Sequence, residues 1–317
     1  LLVAAWAAGA AAPQKVLRVS FLIAETHFDP ATVSDLYSNN VIEEIFEAPL
    51  TYDFLASPAK LRPQTLVAMP EISADARGYT LRLKPGSLFA DDPAFGGKPR
   101  ELIAADYAYS IKRLIDPANR SPNAWLVEGR IAGLGDAIAK AKAAGRFDYD
   151  APMAGIEVVD RYTLRITLEK PDYNFLYILA MCNVGAQARE VVERYGSDIG
   201  AHPVGTGAFR LAEWKRSSRI VLERNPRFRE VTFSAEPSAG DEVGRRLAAQ
   251  MAGKRLPQVD RVEISIIEES QPRWLAFLNG ELDWVNMPYE FLNMAVPGGK
   301  PAPWLVARGV NHLPAIE

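Results

Sequence analysis

The sequence predicts an α/β protein of more than one lobe, and three observations carry that expectation. Val259 to Ile267 is a strongly β-branched run, Ser270 to Leu278 follows with helical spacing, and Leu282 to Val285 turns apolar again, the order of a βαβ unit. Lys15 to Ile23 alternates apolar and polar residues before becoming continuously apolar, as a strand entering a sheet core does. Finally, 317 residues exceed the roughly 150 typical of one domain, so two lobes or more are expected, each large enough to bury a core.

The elements follow in order. The start, LLVAAWAAGAAAPQK, is uncharged before Lys15, apolar through Ala12, and offers small-residue cleavage options around Ala8 to Ala12; residues 1–14 read as the end of a signal peptide, which implies export. After the first strand, Glu25 to Pro30 breaks the pattern. Thr32-x-x-Asp35 is placed to form a capping box for a helix whose apolar face would be Leu36, Ile42, Ile45 and Phe46. Leu50 to Leu88 suggests several short strands, the clearest being Tyr79 to Lys84, with Pro85-Gly86 a turn. Asp106 to Ile115 sets Tyr107, Ile111, Leu114 and Ile115 on one face of an amphipathic helix that Asp116-Pro117 stops. Ala137 to Ala144 is helical in propensity, and Asp160 to Leu168 reads as one strand ended by Pro171.

Farther on, Pro203-Val-Gly-Thr-Gly207 offers two residues able to take φ > 0, and Ala208 to Trp214 with Arg219 to Glu223 alternate as a hairpin closed by Asn225-Pro226. Arg229 to Gln258 is polar and loop-like. Ser270 is a candidate cap for the helix carrying Trp274, Leu275 and Leu278, and Asn279-Gly280 closes it; a right-handed crossover to Leu282 to Val285 is the default.

Composition limits function. Hydrophobic content of 48%, charge of 24% and a formal net charge of -3 provide no basic face, so no nucleic-acid partner is expected. Cys182 is the single cysteine, which excludes a disulfide framework, and no stretch approaches the roughly 18 apolar residues of a membrane helix. His27, His202 and His312 are scattered, without metal-ligand spacing. Gly205-Thr-Gly207 has Arg210 where a dinucleotide loop needs its third glycine, and no phosphate-loop lysine or serine-hydrolase elbow occurs. The adjacent acids Asp91-Asp92 and Glu268-Glu269 read as solvated surface. No catalytic residue, metal or cofactor is nominated.

A binding role follows from where strands end, because ligands of open α/β sheets sit beyond the strands' carboxyl ends. The first strand delivers Thr26, His27 and Phe28 to such an edge, and the strand ending near Val285 delivers Asn286 and Met287, with Trp284 just before them. Extended backbone there pairs with a peptide main chain, while aromatic and methionine surfaces accept varied side chains.

The stretch His202 to Phe228, HPVGTGAFRLAEWKRSSRIVLERNPRF, resembles the segment that marks the family 5 extracellular solute-binding proteins, the peptide- and nickel-binding components of ABC importers; it departs at Ala208, where proline is usual. Four more blocks match in order: Tyr79 to Gly86 with Phe89, Ala104 to Leu114, Asp160 to Leu168 with Pro171, and Leu278 to Asp283. The resemblance implies a periplasmic-binding-protein-like fold of type II, cluster C, with a discontinuous first lobe. Residues 15–46 plus 186–287 would form lobe I, 47–185 a β-rich lobe II, and 288–317 the start of a lobe III that is otherwise missing, as in a C-terminally truncated chain. It also places Ser121 to Trp125 where relatives reach the bound peptide, which nominates Asn123 and Trp125.

The expected function is capture of an oligopeptide or similar small solute in the periplasm by lobe closure and delivery to a membrane permease and its ATPase, the protein acting as a monomer and catalysing no reaction. A hinge is expected at Phe46 to Leu50 and Gly185 to Ala188. The alternatives are a secreted carboxylate-based hydrolase and a peptide-sensing receptor.

Overall fold

The computed structural model describes residues 14–309. The cleavage region, His312 and the final residues of the chain therefore lie outside the described residues. Strand β1 (Val16–Phe21) forms as its alternation predicts. Helix α1 (Leu36–Ile45) follows, capped by Asp35, whose carboxylate accepts from the Ser38 amide at 2.7 Å. The predicted capping box is not made, because the Thr32 hydroxyl donates to Asp29 instead, at 3.2 Å. Ser38, Val41, Ile42 and Ile45 are the buried face. Leu36, expected on that face, is 66% exposed, since nine residues of a 3.6-residue turn put it opposite Ile45.

The chain then crosses to a second sheet. Strands β2 (Leu50–Tyr52) and β3 (Leu61–Pro63) pair as a short ribbon, and β4 (Glu71–Ile72) and β5 (Gly78–Arg82) open the larger sheet. Helix α2 (Ala104–Ile115) is buried on nearly every side, Ala105 being the exception, so it is a central strut and not the one-faced amphipathic helix that periodicity suggests. Helix α3 (Leu134–Ala144) is followed by β6 (Ile156–Asp160) and β7 (Thr163–Thr167), completing an antiparallel sheet of order β4-β5-β7-β6. The single strand read at Asp160 to Leu168 is thus β7 preceded by a turn. At that turn the Asp160 carboxylate accepts from the Tyr162 amide at 2.8 Å. Around this sheet lies a continuous core that includes Leu66, Leu81, Leu83, Tyr107, Leu164, Ile166 and Phe175.

Short helices α4 (Phe175–Ile178) and α5 (Arg189–Tyr195) lead back to the first sheet. Strands β8 (Phe209–Lys215) and β9 (Arg219–Arg224) form the predicted hairpin, with a bulge between Leu211 and Glu213. In the loop before it, neither Gly205 nor Gly207 has a positive φ. Their requirement is close approach: a Cβ on Gly205 would stand 2.0 Å from the Ile45 carbonyl oxygen, and one on Gly207 2.4 Å from that of Glu44. The Gly207 amide donates to the Ile45 oxygen at 2.8 Å, so the loop satisfies a carbonyl at the C-terminus of α1. Asn225, 2% exposed, donates its side-chain amide to the Gly207 carbonyl at 3.0 Å, tying the end of the motif to its beginning.

Arg229 to Gln258, expected as loop, contains β10 (Val231–Thr232), α6 (Glu242–Met251) and β11 (Arg255–Leu256), an arm closed at its base by β10–β11 pairing. Phe233 stacks on Phe54 at 5.4 Å, and Arg62 donates to the Ser234 carbonyl at 2.8 Å, so the arm leans on the β2–β3 ribbon. Strand β12 (Arg261–Ile266) then joins the first sheet, parallel to β1 and antiparallel to β9, giving the order β1-β12-β9-β8. Its core includes Phe21, Phe28, Ile42, Phe46, Phe209, Ile220 and Ile264.

Helix α7 (Ser270–Leu278) ends at Asn279 with Gly280 at φ +75, as predicted, but Ser270 is its first residue and Glu269 occupies the cap. The strand expected at Leu282 to Val285 does not form among the described residues. Only the Asp283 amide donates to β1, at the Arg18 carbonyl (2.8 Å), so the βαβ unit stops short of its last strand. Beyond Pro288, α8 (Leu292–Ala295) and α9 (Pro303–Val306) pack with Phe291 and Trp304 around the buried Trp274 of α7.

Candidate functional site

The residues nominated at the end of β1 divide into frame and surface. Phe28 is fully buried against Trp214, at 4.8 Å between rings, and lines a small, partly open pocket of about 10 Å³, room for one water at most. Its side chain belongs to the core. Adjacent Glu25 is also buried and accepts from the Trp214 indole at 2.5 Å and the Ser217 amide at 2.9 Å, which anchors the strand end. His27 is half-buried, its Nδ1 facing the Asp29 amide at 3.3 Å. Thr26 is exposed, and its hydroxyl donates to Asp35 at 2.6 Å. Burial opposes ionisation of Asp35, but the Thr26 hydroxyl and the Ser38 amide outweigh it and hold the carboxyl below its ordinary value. Strand end and helix start are thereby locked together, with Leu36 turned to solvent.

The loop nominated after α2 is tied to this same place. Asn123 is buried and donates to the Val33 carbonyl at 2.6 Å, while the Ser121 hydroxyl donates to that of Ala31. Asn123 is thus a tether, and two residues beyond it Trp125 is 60% exposed. The bond to Val33 sets Trp125 and Leu36 a few residues from one junction, each with most of its apolar surface in water.

The third nominated group sits outside β1. Arg18 holds Asp283 through two side-chain bonds of 3.1 and 2.8 Å, and its amide donates to the same carboxylate at 2.8 Å. Just past this anchor Trp284 is 51% exposed and Asn286 exposed, while Met287 leans on the cluster around Trp274. No ring contact joins Trp125 to Trp284 among the described residues. Trp125, Trp284 and Leu36 each expose apolar surface beside anchored backbone, and Leu36 is the one that residue pattern alone assigned to the core.

Of the adjacent acids, Asp91 pairs with Arg227 at 2.9 Å and Asp92 accepts from the Ala94 amide and the Tyr195 hydroxyl, while Glu269 stands at the N-cap position of α7 without a side-chain capping bond. Burial, with Glu43 nearby, pushes the Cys182 thiol up to about 12, far from a reactive nucleophile. Among the described residues no group of three metal-binding side chains occurs, and no helix is long and apolar enough to cross a membrane.

The profile for bacterial extracellular solute-binding proteins, family 5 Middle, matches residues 60–297, most of the chain. The chain belongs to the family 5 bacterial extracellular solute-binding proteins. It is 31% identical over 203 residues to the periplasmic oligopeptide-binding protein OppA of Salmonella typhimurium, covering 63% of this chain and 34% of the relative. It is 26% identical over 199 residues to the glutathione-binding protein GsiB of Escherichia coli, covering 63% and 32%. Among solved structures, the substrate-binding domain of an oligopeptide ABC transporter from Bacillus anthracis superposes with a TM-score of 0.70 at 17% identity, over 90% of this chain and 48% of that one. The family 5 fold, that of periplasmic peptide-binding proteins with mixed α/β sheets, is therefore present. The chain spans about a third of the length of the curated relatives it matches.

Proposed function

We propose that this family 5 protein captures an oligopeptide or similar small solute in the periplasm and delivers it to an ABC permease and its ATPase, acting as a monomer and catalysing no reaction. The observation that carries this reading is the set of anchored but exposed apolar side chains, Leu36, Trp125 and Trp284, with Asn286 beside the last. Such surfaces accept varied side chains through apolar contact, while free backbone between them pairs with a peptide main chain. Thr26 and Asn123 anchor the backbone beside Leu36 and Trp125, and the Arg18–Asp283 pair that beside Trp284; His27 remains a candidate contact, Met287 packs toward the cluster around Trp274, and Phe28 is assigned to packing. OppA relatives carry oligopeptide binding in their names and GsiB glutathione binding, both peptidic ligands.

Within the proposal, residues 15–46 with 186–287 form one lobe, 47–185 a second, and 288–317 begin a third. The first two act as a single jaw. At the crossings where a hinge was expected, Phe46, Glu47, Ala48 and Leu50 are buried, the Ala186 amide donates to the Glu47 carbonyl at 3.2 Å, and Glu47 itself accepts from Arg229 and Thr206. Closure on ligand is therefore assigned to motion beyond the Asp283 anchor. Thermal-shift screening of the intact protein against dipeptides, longer peptides, metal chelates, opines and sugars tests the function. A peptide at a hundred times its Kd stabilises by about 2.7 kcal/mol, a clear rise in Tm; stabilisation by sugars or opines alone would replace the proposed ligand.

A further inference from the structure

A second concave feature lies on the other sheet, built from residues that the candidate site does not use. One face of α3 and the loop Arg146 to Ala154 enclose a groove of about 410 Å³, within the range of small-molecule sites, roughly 300–1,000 Å³. Its floor is apolar, from Ala137, Ala141, Phe147 and Met153. Asp136, Lys140 and Arg146 stand along its walls, and among the described residues none of these three makes an ion pair or side-chain hydrogen bond. Asp136 and Lys140 are four residues apart on α3, roughly 6 Å along the axis and at the spacing where opposite charges normally pair, yet they stay apart.

The wall opposite α3 is held by a set of side-chain bonds. Lys112, buried in α2, donates to the carbonyls of Tyr149 and Ala151 at 2.7 and 3.0 Å instead of meeting a carboxylate. The Tyr149 hydroxyl donates to Asp116 at 2.7 Å, and the Asp148 carboxylate accepts the amides of Asp150 and Ala151. Two carbonyl bonds from the Lys112 ammonium, with the Asp148 and Asp150 carboxylates adding favourable charge, tie this loop to α2 and point to a preformed surface.

We propose that this groove is an accessory binding site for a dipeptide-sized zwitterion with apolar side chains. The unmatched acid and cations receive the ligand's amino and carboxylate groups, and the floor takes its side chains. The two charges of an extended dipeptide lie about 7 Å apart, close to the separation along α3. Occupancy is independent of the surface around Trp125 and Trp284, which shares no residue with the groove.

The test uses the 317-residue chain with labelled methionine methyls, titrated with leucyl-leucine, N-acetyl-leucyl-leucine and leucyl-leucinamide. The chain has six methionines, of which Met153 reports the groove and Met287 the candidate cleft. Leucyl-leucine shifts Met153 saturably, each blocked peptide binds more weakly by about fivefold, and Lys140→Glu weakens the free dipeptide likewise. Ala144→Trp, at an exposed wall position that leaves the core untouched, abolishes the Met153 response while circular dichroism stays unchanged. An unmoved Met153, a response surviving Ala144→Trp, or equal affinity for the blocked peptides overturns the proposal. A shift at Met287 alone overturns it too, while leaving the cleft reading intact.

Discussion

Gly205 and Gly207 hold the β8–β9 hairpin against α1 through what they lack. A methyl on Gly205 would fall 2.0 Å from the Ile45 oxygen, so one backbone must move or the loop must lift off the helix end. Gly205→Ala is therefore expected to destabilise by about 2–3 kcal/mol, read as a lower urea midpoint. The same substitution at Gly86, with no atom within 4 Å but φ +84, costs only the left-handed strain, about 1 kcal/mol. Sequence marked the location of Gly205 correctly and its reason wrongly, because a turn glycine and a close-approach glycine look identical until the neighbouring carbonyl is placed. Leu36 misled for a related reason: an apolar residue at the start of a helical pattern was assigned to the core, when its angular position puts it outside.

At the scale of elements, β1, α1 and the hairpin were legible because each buries a face and so carries a period, α3 through helical propensity and β12 through its β-branched run, while α2 showed a helical period although it is buried on nearly every side. Strand β6 was not, since Val158 and Val159 are both substantially exposed on a sheet edge and the alternation that marks a half-buried strand is absent. Helix α6 does carry a helical period, with Val243, Leu247 and Met251 four residues apart, but its polar composition reads as loop, and Val243 and Leu247 are turned to water. The segment at Leu282 to Val285 has strand composition but only one backbone bond to β1, and its position rests on the Arg18–Asp283 pair. Arg18 holds the Asp283 carboxyl below its ordinary value of 3.8. A depressed folded-state pKa means that the stabilisation is complete above about 3.8 and is lost as pH falls through the lower folded value. Hydrogen exchange should accordingly show protection at the Asp283 amide falling as pH drops below about 3.8, while amides in β12 keep theirs. Protection at Asp283 that persists across that range would mean the packing of Leu282, not the ion pair, fixes the segment.

For the molecule as a whole, the deciding contact is the ion pair between Asp29, in the loop after β1, and Arg113 of α2. The bonds are 2.6 and 3.0 Å, with side chains 5% and 4% exposed. Together with Asn123 and Ser121 on the same loop, it fixes the first sheet to the second, which neither residue's local pattern could show because the partners are 84 positions apart. Arg113→Leu leaves a buried carboxylate without its counter-ion and should cost about 3–5 kcal/mol; adding Asp29→Leu should recover part of that loss, and chemical denaturation of the three variants checks both. If the double variant is no better than the single, the pair is not what joins the two sheets. On the proposed reading Leu36, Trp125 and Trp284 meet one ligand, and titration calorimetry of the intact protein with a stabilising peptide tests that directly. Trp125→Ala and Trp284→Ala are each predicted to raise Kd by about tenfold or more with the fold intact, as for buried aromatic anchors. An unchanged Kd in both variants would contradict the assignment of this face as the binding site.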